Sequence, residues 1–333
     1  MISAFIRRGD GTIVTDGSPQ ALADAMNDPA AVFWVDIEAP SDAEYALLSE
    51  VFKFHPLAIE DTTQHLQRPK IDEYFWGEPK PDSSADYYYI VLHGPDPETV
   101  RVKDCSEVDI FLSDRFLITI HDSAMPSITD RRNRAKTSPK AVLDLGPDRL
   151  LYLILDGMVD QYQPLFDELS EALDELDEIA ASDAPPRDLP RRISEKKRQL
   201  LYLRTLVGPQ REVLAQMARG DVHVIRENTR IYLRDVQDHL IRLYENVELY
   251  RDIVMGARDI YLSSISNHLN QIMKTLTIIS VIAMPLTVIT SFFGMNFDAI
   301  PGLHDPRGFW LAVAGMALAE AGMLYLFWKK RWI

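Results

Sequence analysis

The chain has 333 residues, with 50 acidic against 35 basic side chains, a formal charge of −15 and one cysteine, Cys105. That balance argues against a general nucleic-acid binder, which needs a basic face. A lone cysteine excludes an intrachain disulfide and fits a reducing compartment. An acidic surface can attract cations, or it can serve solubility alone. Mean hydropathy is near neutral, with the apolar residues concentrated at the C-terminal end. Met1–Arg8 lacks an apolar stretch of signal-peptide length, so the first domain is expected to stay where it is made.

Residues 1–147 read as a mixed α/β domain. The runs Ala31–Ile37, Tyr87–Leu92, Val108–Leu112 and Phe116–Ile120 are strand-like. The last two are separated by Ser113, Asp114 and Arg115, the spacing of a hairpin. Ser41–Phe52 reads as a helix in which Ser41 and Glu44 have capping-box spacing. The stretch Gly77–Ala85, rich in Pro, Asp and Ser, predicts an exposed loop.

Residues 148–220 are helical in character. Leu155, Met158, Tyr162, Leu165, Leu169, Ala172, Leu176 and Ile179 recur at steps of three and four, a helix-hairpin or coiled-coil seam. Leu150–Pro186 holds ten acids and no Lys or Arg. After Pro185-Pro186 come Arg187, Arg191, Arg192, Lys196, Lys197, Arg198 and Arg204. An acidic helix followed by a basic one predicts an antiparallel hairpin with complementary faces. A further helix starts near Glu227–Arg230 and meets no breaker before Pro285; taken to Phe293 it would be about 95 Å long. Residues 221–274 then read as a stalk, too long for a compact domain, that continues into a membrane.

Two apolar segments follow, 275–293 and 309–328, the second interrupted only by Glu320. Each can cross an apolar layer of about 30 Å. Lys329, Lys330, Arg331 and Trp332 follow directly, the mark of a cytoplasmic interface. Two spans return the chain to its starting side, so both termini are expected to be cytoplasmic and the loop 294–308 outside. Stepping by three and four from Asp238 gives Arg242, Glu245, Leu249, Asp252, Gly256, Asp259, Ser263, Ser266, Asn270, Met273, Thr277, Ser280, Met284, Thr287 and Ser291. Nearly all are polar, small or Met. Singly, a Ser or Thr in a span often bonds only its own backbone. A continuous polar stripe through a membrane is costly unless it faces water or protein. Two spans cannot enclose a pore, so conduction along this stripe requires several copies.

The span ends on Gly294-Met295-Asn296. With it stand Tyr261-Leu262-Ser263-Ser264, Met273-Lys274-Thr275-Leu276-Thr277-Ile278-Ile279 and Met284-Pro285-Leu286-Thr287. Upstream come Arg234-Asp235-Val236-Gln237-Asp238-His239, Arg251-Asp252-Ile253-Val254, His55-Pro56-Leu57, Glu60-Asp61 and Gln67-Arg68-Pro69-Lys70. This pattern resembles the CorA family of magnesium and cobalt transporters, in the family's order over most of the chain. The resemblance implies an α+β architecture: a cytoplasmic α/β domain, long stalk helices and two C-terminal transmembrane helices, assembled as a homopentameric funnel in the inner (plasma) membrane. It implies that Asn296 holds a hydrated magnesium ion at the outer mouth, with Gly294, Met295 and Asp298 beside it. Asn270, Met273, Leu276, Met284 and Thr287 match the family's pore positions, and Thr277, Ser280 and Ser291 complete the stripe. Asp259 matches an acidic ring near the inner mouth. Asp235 matches the stalk member of a regulatory magnesium site, completed by Asp96 or Glu98 of a neighbouring subunit. The family often carries two acids after the triplet; here Asp298 stands at the first, Gly302 replaces the second, and Asp305 lies nearby. That departure weakens the charge expected of the outer loop.

The resemblance thus implies uptake of Mg2+, with Co2+, Ni2+ or Zn2+ as further cargo, by a self-assembling membrane protein that is not an enzyme. The His55, Glu60 and Asp61 cluster has no zincin spacing. His223, His239 and His268 do not group as a zinc site. A zinc transporter of the same superfamily and a membrane-anchored coiled-coil scaffold without a pore are the competing readings.

Overall fold

The computed structural model describes residues 1–64, 67–78, 84–95, 105–182, 185–296, 300 and 307–332. It divides into two compact units: Met1–Glu178 with Arg187–Ala257, and Ile179–Pro186 with Arg258–Ile333.

The first unit is built on a seven-stranded sheet among the described residues. Its strands are β1 (Ile2–Arg7), β2 (Ile13–Val14), β3 (Val32–Glu38), β4 (Lys70–Tyr74), β5 (Tyr87–Gly94), β6 (Ser106–Leu112) and β7 (Phe116–His121), in the order β2-β1-β3-β7-β6-β5-β4. The expected hairpin is β6–β7, paired antiparallel with Leu112 opposite Leu117. Among the described residues the one parallel pair is β3 with β7. Strand alternation sends Phe33, Val35, Ile37, Tyr87, Tyr89, Phe111, Phe116 and Ile118 to one face. There they bury against α1 (Pro19–Asn27), α2 (Asp42–Glu50) and α3 (Pro56–Thr63). Phe54 lies at the centre of this layer, stacked on Phe111 with ring centroids 4.0 Å apart and tilted on Tyr87 at 4.8 Å. The capping box of α2 is in place: Ser41 N donates to Glu44 Oε2 at 2.7 Å.

The opposite face carries α4 (Pro126–Thr137), α5 (Pro139–Leu143) and α6 (Pro147–Asp160). A buried polar chain crosses it. Trp34 Nε1 donates to Thr119 Oγ1, Thr119 Oγ1 donates to Asp36 Oδ1 at 2.7 Å, and Arg132 donates to Asp36 at 3.0 Å and to Glu38. His121 completes it, with Nε2 3.1 Å from Asp36 and Nδ1 2.7 Å from the Ser123 carbonyl. Both ring nitrogens face acceptors, an arrangement that suits a doubly protonated ring. Burial alone would lower the pKa of His121; the bonds to Asp36 and Ser123 and the charges of Asp36 and Glu38 outweigh it, so the pKa is raised.

The acidic helical stretch is two helices, α6 and α7 (Tyr162–Ala180), separated at Gln161. Leu155, Met158, Tyr162, Leu165, Leu169 and Leu176 of the expected seam are buried, but Leu173 and Ala180 replace Ala172 and Ile179 as the deeper residues. A straight helix of 3.6 residues per turn drifts by that amount against a 3.5-residue repeat. The basic helix α8 (Leu189–Arg219) is joined to α7 by the ion pair Arg192–Glu175 at 2.8 Å. It ends on Gly220 at φ +98°, where a Cβ would fall 2.4 Å from the Arg230 side chain. The next helix, α9 (Glu227–Phe293), is tied in at its start: Arg226 and Thr229 both donate to buried Asp148. Burial would raise the Asp148 pKa, and those bonds hold it below the usual carboxylate range.

The second unit holds the rest of α9, which continues through Pro285, and α10 (Gly308–Lys329). Both are long and apolar enough to span a bilayer, and none of their span windows is buried inside the chain. α10 covers one side of α9. The partly covered residues of α9 are Lys274, Ile278, Val281, Ile282, Pro285, Leu286, Ile289 and Phe293; those of α10 include Ala312, Met316, Ala319, Met323 and Phe327. A cleft between Ile289–Gly294 and Gly308–Met316 marks one end of this contact, and Lys274 Nζ donates to the Arg331 carbonyl at 3.2 Å at the other. The two helices therefore run antiparallel.

Candidate functional site

The polar stripe is a physical face of α9. Every position from Asp238 to Ser291 at the predicted steps is exposed in the single chain, Asp259, Asn270, Thr277, Ser280, Thr287 and Ser291 among them. Met273 and Met284 are 60 % and 66 % exposed, and Leu276 is exposed beside them. The opposite side of the helix holds Leu233, Val236, Leu240, Leu243, Val247, Val254 and Ala257, all buried in the first unit, and then the residues covered by α10. Sequence periodicity alone could place these residues on one side, since three- and four-residue steps stay in phase with the helix. The packing adds that no element among the described residues covers this side within the membrane-spanning part of α9.

The hydroxyls on the stripe are oriented by their own helix. Thr277 Oγ1 donates to the Met273 carbonyl at 2.7 Å, and Thr287 Oγ1 to the Ala283 carbonyl at 2.9 Å. A hydroxyl whose proton is committed to the backbone keeps lone pairs to accept with. Such an oxygen can take a hydrogen bond from the water shell of a cation.

At the end of the stripe the chain leaves the helix at Gly294, whose N–H donates to the Thr290 carbonyl at 2.9 Å. A Cβ at Gly294 would lie 3.0 Å from that same carbonyl oxygen, so the exit is tight for any other residue. Met295 and Asn296 follow, both exposed. Asp298 lies outside the described residues.

Asp235 sits at the other end of α9 with its side chain 70 % exposed. His239 Nε2 is 4.0 Å from Asp235 Oδ2 and its Nδ1 is 3.9 Å from Asp160 Oδ1. Asp156 adds a third carboxylate to the same region. Its burial, then the charges of Asp160 and Asp235, raise its pKa. Among the described residues, no three His, Cys, Asp or Glu side chains are placed to hold a metal ion. Asp96 and Glu98, the expected partners of Asp235, lie outside the described residues.

A profile of the family described as CorA-like Mg2+ transporter protein matches residues 29–331. The chain belongs to the CorA family. It is 38 % identical over 302 residues to the putative metal ion transporter YfjQ of Bacillus subtilis, covering 91 % of this chain and 90 % of that protein. It is 32 % identical over 310 residues to the cobalt/magnesium transport protein CorA of Thermotoga maritima, covering 92 % and 85 %. The solved structure of the CorA magnesium transporter from Methanocaldococcus jannaschii superposes with a TM-score of 0.79 at 26 % identity, covering 99 % and 98 %. This CorA-family chain is thus a divalent-cation transporter with an N-terminal α/β unit and two candidate C-terminal spans.

Other residues singled out in the sequence have structural duties in this CorA-family chain. His55 caps α3, accepting from Leu57 N at 3.2 Å, while its own N–H donates to Tyr87 Oη. Asp61 pairs with Lys70 at 2.5 Å. His223 bonds Tyr88 Oη at 2.8 Å. Residues that sequence reasoning missed are Asp156 and Asp160. They lie some 75 to 79 positions before Asp235, so only tertiary packing brings the three acids together; the sole sequence signal was the acidic bias of that stretch.

Proposed function

We propose that the chain takes up magnesium, and secondarily cobalt, nickel or zinc, across the inner membrane as a homopentamer with both termini in the cytoplasm. The carrying observation is the exposed stripe on α9, which lies opposite the face covered by α10. Copies of the chain set with this stripe inward would enclose a path of hydroxyl, amide and thioether groups, with α10 outside facing lipid. Such a path contains no fixed positive charge between Thr275 and Ser291. It suits a hydrated ion, because magnesium gives up its water reluctantly.

Asn296, with Gly294, Met295 and Asp298, forms the entry in this reading. A ring of amide oxygens holds the water shell of an arriving ion without stripping it. Asp235, joined by Asp96 or Glu98 of the next subunit, is the internal magnesium sensor. Carboxylates gathered across an interface repel one another, and a bound divalent ion reverses the sign. High internal magnesium would close the assembly and low magnesium release it.

The test is ion flux into proteoliposomes with each metal in turn. Asn296→Ala is expected to reduce magnesium flux to the protein-free background while the detergent-corrected mass stays that of the parent. Undiminished flux at matched protein levels removes Asn296 from the entry.

A further inference from the structure

Beside the transport path, at the inner end of the spans, lies a groove that shares only Ser263 with the stripe. It encloses about 760 Å3 between the α7–α8 connection and α9. Ser182 lies on one wall; Ser263, Ser264, Asn267, His268 and Gln271 supply most of the other. Ser264 Oγ donates to the Ser182 carbonyl at 3.3 Å, so the two walls are tied together. The groove offers hydroxyls, amides and an imidazole.

One turn further along α9 stands Lys274, and its bond to the Arg331 carbonyl brings the end of α10 to the same level. That end is built rather than frayed. Trp332 N donates to the Phe327 carbonyl at 2.9 Å and Arg331 N to the Trp328 carbonyl. Arg331 closes this cap at φ +56°, a left-handed conformation normally left to glycine. The Trp332 ring stacks on Phe327 with centroids 5.7 Å apart. The side chains of Lys329, Lys330 and Arg331 are exposed from this fixed cap. The only acids of the second unit among its described residues are Asp259, on the stripe, and Glu320, within the span.

The level is where the apolar run of α9 begins, and Tyr325, Trp328 and Trp332 cluster there as aromatic residues do at headgroup depth. We propose that this groove and cap bind one anionic phospholipid of the inner leaflet. Its phosphate would lie on Lys329, Lys330 and Arg331, and its polar headgroup on the Asn267 and Gln271 row. Cations fixed at this depth attract anionic headgroups specifically, and the neutral row suits a hydroxylated headgroup such as glycerol. The inference rests on the membrane placement proposed above.

The experiment uses the purified full-length protein in detergent, with phosphatidylglycerol, phosphatidylcholine and free glycerol 3-phosphate as probes. Native mass spectrometry should show phosphatidylglycerol retained and phosphatidylcholine lost. The combined change Lys329→Gln, Lys330→Gln and Arg331→Gln should weaken phosphatidylglycerol roughly a hundredfold. Asn267→Ala with Gln271→Ala, which keeps good helix formers, should weaken it roughly tenfold at unchanged oligomer mass. Equal retention of the two lipids overturns the site, as does either variant binding like the parent. Displacement of the lipid by glycerol 3-phosphate at equal concentration would mean a free-anion site and overturns it too. A chain that stays in solution without detergent would instead overturn the membrane placement.

Discussion

The two units bury their apolar residues in different media. In the first, Phe33, Phe52, Phe111, Phe116 and Trp34 are buried, and β5 is buried along its whole length. In the second, α10 has no buried residue, and the buried positions of α9 stop at Ala257. The first unit carries its own core. The second presents Leu, Ile, Phe and Trp outward, which is stable only against lipid or further copies of itself. The same residue types therefore have different consequences on either side of Ala257.

Phe54→Ala is the largest expected blow to that contrast. It empties the centre of the aromatic stack and should cost about 3–5 kcal/mol, seen as a lowered midpoint of thermal unfolding in detergent. Leu318→Ala, on a side chain 74 % exposed on α10, should stay within about 0.5 kcal/mol. Equal losses at the two positions would show that α10 has a core of its own. A smaller contrast lies within α9 itself. Thr287→Val on the stripe should slow magnesium flux by roughly tenfold, the value of one hydrogen bond to the ion's water shell. Ile282→Val on the face covered by α10 should leave flux unchanged; the reverse pattern would put the path on the other side of the helix.

Asp235→Ala separates sensing from conduction. The internal magnesium concentration for half-inhibition should rise by at least about fivefold, with maximal flux retained. Slower flux with an unmoved inhibition curve would make Asp235 part of an electrostatic funnel instead. The smallest effect concerns pH. His121 has a raised pKa in the folded unit, so its contribution to stability is complete below about pH 6.5 and is lost as pH rises through the folded value. The unfolding midpoint should fall gently as pH rises through that folded value, and His121→Gln should remove that part of the slope. A midpoint that rises over the same range contradicts the His121–Asp36 bond.

Long-period features were legible from residue order. The unbroken α9, the polar stripe, the two apolar segments, the basic helix α8 and the Ser41–Glu44 cap each depend on residues a few positions apart. Helix geometry relates such residues whatever the rest of the chain does. The short strands β1, β2 and β4 were not legible, because two to six residues carry little periodicity, and the pairing of β1 with β3 joins residues far apart in sequence. The parallel pairing of β3 with β7 was hidden because its partners lie some 83 positions apart, and with it the Asp36, His121 and Arg132 network at its end. The triplet Gly294-Met295-Asn296 and the spans belong to the sequence itself. Which side of α9 faces α10, that the stripe is left exposed among the described residues, and that Asp156 and Asp160 lie near Asp235 are decided only by tertiary packing, because a helix fixes the relative directions of its side chains but not what lies in each direction.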